Sequence, residues 1–341
     1  MDFTALRTAA LARLPPLSFA YYEGVAGGDP ETDHQAWQRL ALVPRVLQGL
    51  STVDASLTLG DAVLATPVMV AATAAHGLAH PQAELATAEA AAAAGALMVY
   101  SSSAAVEVTQ FGAAATGPWW AQVYLMKDRA LSDDYIARCV LAGARALVLT
   151  VDNAGSLSDA PFRVASRTGM SAVPSNYPGL TWEQMSAQIE PYLRPEHIAE
   201  LAAASGLPVH VKGVLHPDDA VAAVAAGAAG VVVSNHGRRQ LSGVVPGAVM
   251  LPDVVAAVAG RVPVLVDGGI RSGIDVLRAI ALGATAVGIG RPVLWALSAG
   301  GSPAVVDVLN QLTAELRQAM AAVGAGHLGA VDHTMLRLLN C

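Results

Sequence analysis

The chain has 341 residues, of which 54% are hydrophobic and 14% charged, with a net charge of −7. This composition can bury a large core, which argues against disorder, and the length suits one α/β barrel. An acidic balance without a basic block argues against nucleic acid or an anionic membrane surface as partner. The two cysteines, Cys139 and Cys341, are far apart and away from metal-ligand spacing, so a reducing cytoplasm is expected and no disulfide framework. Met1-Asp2-Phe3-Thr4 opens without a signal-peptide pattern, and Leu339-Asn340-Cys341 is not a peroxisomal address. The most apolar stretches are broken by glycine within about fifteen residues, too few to span a bilayer.

Residues 1–60 read as an irregular helical preface. Phe3–Leu14 predicts one helix, stopped by Pro15-Pro16. Tyr21-Tyr22-Glu23-Gly24 reads on its own as a packed helix end. From Pro67 a repeat begins: a short apolar run, then a helix opened by Pro or Ser and closed by Gly. Gly95, Gly143, Gly227 and Gly283 close these helices as left-handed C-terminal residues. Pro81 and Pro217 are expected at the first helical position, Asp218 and Asp219 in a first turn, and Ser272 as an N-cap.

The apolar runs are Pro67–Ala72, Leu97–Tyr100, Trp119–Tyr124, Ala146–Val151, Pro208–Val211, Gly230–Val233, Pro263–Val266 and Thr285–Ile289. Eight strands alternating with helices predict a closed (β/α)8 TIM barrel, of the α/β class, over about 67–300 in a single domain spanning 1–341. A doubly wound open sheet is the alternative, but no G-x-G-x-x-G follows the first strand. The unit after strand four is long, and residues 153–195 are read as a lid. Ser302–Met320 reads as a last helix, and Cys139, Trp119 and Trp120 as core.

Barrel enzymes carry their chemistry where strands end. Here the ends are Ala72-Thr73-Ala74, Ser101, Gln122 with Tyr124, Thr150-Val151-Asp152, Lys212, Ser234-Asn235-His236 with Arg239, Asp267-Gly268-Gly269-Ile270-Arg271 and Gly288-Ile289-Gly290-Arg291. Nearly every strand brings a polar group to one rim. The last two ends read as a phosphate site, with Gly-rich turns exposing N–H groups and two arginines adding charge. Asp267 is placed to meet a ribityl hydroxyl. A buried Lys212 requires an anionic partner, and Asp152 with His236 reads as a carboxylate–imidazole pair. His76 lies just past strand one and could face the site. The remaining histidines, His34, His80, His197, His210, His216, His327 and His333, do not cluster, so no metal is expected.

With these residues assembled, the chain resembles the FMN-dependent α-hydroxy-acid oxidases and dehydrogenases, the group of glycolate, lactate and mandelate-type enzymes. Ser234-Asn235-His236-Gly237-Arg238-Arg239-Gln240-Leu241 is the most specific motif. Leu149–Asp152, Val211-Lys212-Gly213, Asp267–Arg271 and Gly290-Arg291-Pro292 follow in the family's order and spacing. The resemblance implies FMN as cofactor and oxidation of an α-hydroxy acid to the α-keto acid, with oxygen or another acceptor reoxidising the flavin. It implies His236 as base paired with Asp152, Arg239 and Tyr21 on the substrate carboxylate, and Tyr124 on its hydroxyl. Lys212 would lie by the flavin N1/O2 edge. Ala72, Thr73, Ala74, Ser101, Gln122 and Thr150 would contact the ring, Ser234 belongs to the cofactor set, and Asp267, Gly269, Arg271, Gly290 and Arg291 would hold the ribityl phosphate. A homotetramer or octamer is implied as well.

Three departures bear on the substrate. The family's second substrate-side arginine, in the loop after the strand-four Asp, falls on Asp159 by counting, with Arg163 as the substitute if the loop is shortened. Ala72 stands where Pro is common. Ser103 stands where some members have Trp, and it leaves room for a bulky or aromatic side chain. A non-redox, isomerase-like FMN barrel and a flavin-binding protein that has lost catalysis are the competing readings.

Overall fold

The computed structural model describes residues 2–153 and 174–339. Eight parallel strands close a barrel in chain order, strand eight (Ala286–Ile289) pairing with strand one (Val68–Val70) through Val287 and Val68. Strands two to seven are Met98–Tyr100, Trp119–Val123, Leu147–Thr150, Val209–Val214, Gly230–Val233 and Val264–Asp267. All eight lie within or beside the predicted runs, because strands covered on both faces must be apolar throughout. The short hairpin Leu57–Leu64 supplies Leu59, Ala62 and Leu64, which pack with Met69, Trp120 and Leu265 in a second buried cluster.

The punctuation is as expected at most positions. Gly95, Gly143, Gly227 and Gly283 all have positive φ, from 63° to 100°. Ser272 caps its helix by accepting from Asp275 N, and Pro217 opens the helix Pro217–Ala225. Pro81 is a correction. It lies in the turn before the helix Ala83–Ala93, whose N-cap is Gln82. The last helix is also longer than expected. It runs Arg291–Val323, with non-helical backbone at Gly300 and Gly301. By length and composition it could cross a membrane, but 56% of the relevant window is buried. It packs on the helices Phe3–Arg13, Ala83–Ala93 and Gly273–Ala281.

The preface is a clamp. The helix Phe3–Arg13 ends before Pro15-Pro16, and Pro16 opens the next helix, Pro16–Glu23. In the helix Thr32–Gln38, Trp37 Nε1 donates to Gly268 O at 2.8 Å, and His34 Nδ1 lies 3.0 Å from Gly269 O. Asn235 Nδ2 donates to the buried Asp33 at 2.8 Å. Two consecutive turns of the barrel rim, after strands six and seven, are thereby tied to residues more than 200 positions earlier. Cys139, Trp119 and Trp120 are buried.

Candidate active site

One cleft opens at the C-terminal ends of the strands, with about 1450 Å³ of empty space including the solvent at its mouth. Among the predicted residues, Tyr21, Ala72, Thr73, Ala74, Ser101, Ser103, Gln122, Tyr124, Thr150, Lys212, His236, Arg239, Asp267, Gly269, Arg271, Gly290 and Arg291 all line it. Asp152 and Ser234 stand directly behind that lining, each bonded to a residue that does. Arg163 and Asp159 lie outside the described residues, as does the stretch 154–173 of the expected lid. The described part of that unit contributes the helix Trp182–Gln188, from which Trp182, Met185 and Ser186 reach the cleft.

His236 follows strand six in an unusual backbone. Its φ is +57°, and Gly237 and Arg238 also have positive φ. A non-glycine residue in this region stores strain, which surrounding structure must offset. Ser234 Oγ accepts from His236 N at 3.1 Å, and Asn235 Oδ1 accepts from Arg238 N at 3.3 Å. His236 Nδ1 lies 2.8 Å from Asp152 Oδ1. Burial raises the Asp152 carboxyl, but the charge and hydrogen bond of His236, with Lys212 beyond, outweigh it and hold the group below its ordinary value. Asp152 is therefore the acceptor, and His236 Nδ1 carries the proton. Gly213 permits this approach. It lies in the bulge between Lys212 and Val214 with φ +106°, and a Cβ there would sit 2.5 Å from Asp152 Cγ.

Lys212 is buried, with Nζ donating to Ser234 Oγ at 2.9 Å and facing Asp267 Oδ2 at 3.3 Å. Burial works against its charge, yet Asp267 and then Asp152 prevail and raise it. Gln122 Nε2 donates to Thr150 Oγ1, and its Oε1 accepts from Ser102 N and Oγ. The amide is thus held by the ends of strands two and four. Arg239 Nη1 donates to Tyr21 O, Tyr22 O and Gly24 O at 2.7, 3.3 and 3.1 Å, at the C-terminal end of the helix Pro16–Glu23. Carbonyls gathered at a helix C-terminus favour a cation. The guanidinium also lies 5.1 Å from the Tyr21 ring centroid.

Arg271 and Arg291 stand at opposite turns of the expected phosphate site. Burial, and then the charge of Arg291, bring Arg271 down to about 10, while burial lowers Arg291 as well. Arg291 bonds to Tyr22 O and Gly237 O, and Arg271 lies 5.0 Å from the Trp295 centroid. Two hemmed-in guanidinium groups beside Gly268-Gly269 and the N-terminus of the helix Arg291–Val323 suit a phosphate dianion. Asp267 Oδ1 is buried with no partner among the described residues, which fits a ribityl hydroxyl donor. The donor set therefore fits FMN.

Some placements differ from the sequence reading. His76 does not line the cleft. It is buried behind Thr73, between Thr73 Oγ1 at 2.6 Å and Thr87 Oγ1 at 2.9 Å. Tyr21-Tyr22 is more than a helix end, since Tyr21 faces the cleft while Tyr22 is buried and donates to Ala75 O. Asp33, Trp37 and Met185 were not singled out by sequence, and Trp182 only as an aromatic of the long unit 153–195. No local pattern marks them, because their roles depend on contacts across the fold.

Fold and rim together define the class of α/β barrel whose strand ends carry a cofactor-sized cleft, here with a hydrogen-bonded His–Asp pair on its rim. Residues 10–338 match the FMN-dependent dehydrogenase family, and the chain belongs to it. It is 38% identical over 352 residues to an L-lactate oxidase of Nostoc sp., with 96% of each covered. It is 39% identical to a 4-hydroxymandelate oxidase of Amycolatopsis orientalis, covering 98% of this chain and 97% of the other. A point mutant of mandelate oxidase solved with (S)-mandelic acid superposes with a TM-score of 0.90 at 37% identity, covering 98% and 97%. A lactate oxidase of Pediococcus acidilactici gives 0.93 at 32%, covering 100% and 95%. The cofactor is FMN, and the reaction is flavin-dependent oxidation of an α-hydroxy acid.

Proposed function

We propose that the substrate is an α-hydroxy acid with a bulky or aromatic side chain, oxidised to its α-keto acid with the loss of two electrons and two protons. Bound FMN supplies the acceptor for the electrons. The observation that carries the assignment of roles is the 2.8 Å His236–Asp152 pair at the rim of the cleft. Because Nδ1 is engaged by Asp152, Nε2 is left to take a substrate proton, and the carboxylate stabilises the imidazolium that results. Arg239, anchored through three carbonyls, and Tyr21 hold the substrate carboxylate. Tyr124 bonds the hydroxyl. Lys212 presents fixed positive charge toward the cofactor ring, while Arg271, Arg291 and Asp267 hold the ribityl phosphate.

Support for a large side chain comes from the small residue Ser103 and from the apolar wall of Trp182, Met185 and Ile189. A relative named 4-hydroxymandelate oxidase points the same way. Oxygen is proposed as the electron acceptor because the relatives are named oxidases. A homotetramer or octamer is proposed from the resemblance, and light scattering measures it. The intact His236–Asp152 pair and Arg239 weigh against the isomerase-like and the impaired readings.

Anaerobic titration tests the proposal. Yellow holoenzyme should bleach with aryl 2-hydroxy acids at a higher kcat/KM than with lactate or glycolate. A preference for the small acids would overturn the proposed substrate class, and no bleaching with any 2-hydroxy acid would overturn the activity. Oxygen uptake that matches substrate loss supports oxygen as acceptor.

A further inference from the structure

The cleft has a side that the chemistry above does not use. It lies between the end of barrel strand two and the helix Trp182–Gln188. Met185 bridges the two, receiving Ser103 Oγ–H at its sulfur over 3.9 Å. Trp182 stands one turn before Met185 on the same helix face and also lines the cleft.

Two hydrogen-bond donors on this side of the cleft lack a good acceptor among the described residues. The Trp182 indole N–H is buried and has no partner among the described residues. Among the described residues the buried Ser103 hydroxyl has only a thioether, which accepts weakly. A buried donor left unsatisfied is costly, so such groups normally have partners. Indole can only donate, whereas a hydroxyl can do both. A ligand oxygen could therefore accept from Trp182 and either accept from or donate to Ser103. The rest of this wall is apolar, with Met185 and Ile189 suited to an aromatic face.

We propose that this side of the cleft is a subsite for an oxygen-bearing substrate side chain, with Trp182 and Ser103 as its hydrogen-bonding residues. This rests on the bulky-substrate reading above and narrows it. The class is an aryl α-hydroxy acid whose ring carries a hydroxyl, ether or carbonyl oxygen. A site built to bond such an oxygen discriminates strongly against the analogue lacking it, because its own buried groups are then unpaired.

The test compares phenyl 2-hydroxy acids bearing a ring hydroxyl at each position with the unsubstituted acid, using FMN-loaded enzyme. The readout is the ratio of kcat/KM values, hydroxylated over unsubstituted. The corresponding keto acids provide a second readout, as dissociation constants from the perturbed flavin spectrum. Wild type should favour one hydroxylated isomer in both. Trp182→Phe keeps a ring but removes the N–H, and it should shrink the ratio about fivefold to tenfold. Ser103→Ala should shrink it as well, and serves if the first variant misfolds. Ratios near one in wild type, or unmoved by both substitutions, would overturn the subsite while leaving the oxidation reading intact. Failure of every aryl 2-hydroxy acid to bleach the flavin would bring down both.

Discussion

His236 combines a strained backbone with a fixed tautomer. Its left-handed φ is held by Ser234 and Asn235 from its own strand end, and its ring by Asp152 from another. His236→Ala removes the proton acceptor but none of the groups proposed to grip the cofactor. Turnover should therefore fall by about 10²- to 10⁴-fold while the protein stays yellow. Stopped-flow bleaching, read against bound-flavin absorbance, separates the two effects. Lys212 plays a different part, as a buried cation facing Asp267 and Asp152. Lys212→Met leaves those carboxylates uncompensated, and denaturant unfolding of the holoenzyme should show a loss of about 3–5 kcal/mol. Both residues could be picked out by sequence, because a strand that ends in Lys or Asn-His departs sharply from its valines. Trp182 could not. The role proposed for it rests on an N–H without a partner among the described residues, and a sequence does not show partners.

Among the elements, the helix Thr32–Gln38 has the widest reach. Through Trp37 and His34 it bonds the Gly268-Gly269 turn, and through Asp33 it bonds the residue before His236. A Cβ at Gly269 would collide with the Asp33 backbone, so the turn and the helix are fitted closely. Burial raises the Asp33 carboxyl, with Asn235 and then Arg238 opposing it. Trp37→Phe removes one bond to the turn that precedes Arg271. The FMN dissociation constant should rise about tenfold with the circular dichroism unchanged, as fluorescence of released flavin on dilution would report. In sequence this segment reads only as part of an irregular preface, because its partners are more than 200 residues away. The barrel elements were far more legible. Strand positions follow from apolar runs and helix ends from glycines, since both are local. Pro81 shows the limit of local signals: proline suits a turn as well as a first helical position, and only packing selects between them.

At the scale of the whole molecule, stability should depend on pH through the barrel interior. His210, on strand five, is buried and stacked on Trp120, with ring centroids 4.0 Å apart, and its Nδ1 has no partner among the described residues. Burial lowers its pKa from 6.5 to about 4. Well above pH 6.5 the ring is neutral whether folded or unfolded and contributes no pH dependence. Below that value the unfolded chain binds a proton that the folded chain refuses, so stability falls until about pH 4 and the term then levels off. The full effect of moving from 6.5 to about 4 is about 3 kcal/mol. Urea midpoints of the holoenzyme between pH 8 and 4 should show the decline, and His210→Leu should flatten it. An equal decline in that variant would assign the acid sensitivity elsewhere.

The sequence by itself determined the barrel, the rim and the identity of nearly all its polar groups, because strand alternation and strand-end chemistry are written in neighbouring residues. Only the tertiary structure decided what those groups face. It set His76 behind Thr73 rather than in the cleft, bonded the buried Tyr22 hydroxyl to Ala75 O beside a cleft-lining Tyr21, and made the preface a clamp on the Gly268-Gly269 turn. It also brought Trp182, Met185 and Ser103, from separate units of the chain, to the wall of one cleft. The physical reason is range. Secondary structure follows from nearby residues, whereas hydrogen-bond satisfaction and burial are settled only when distant segments pack.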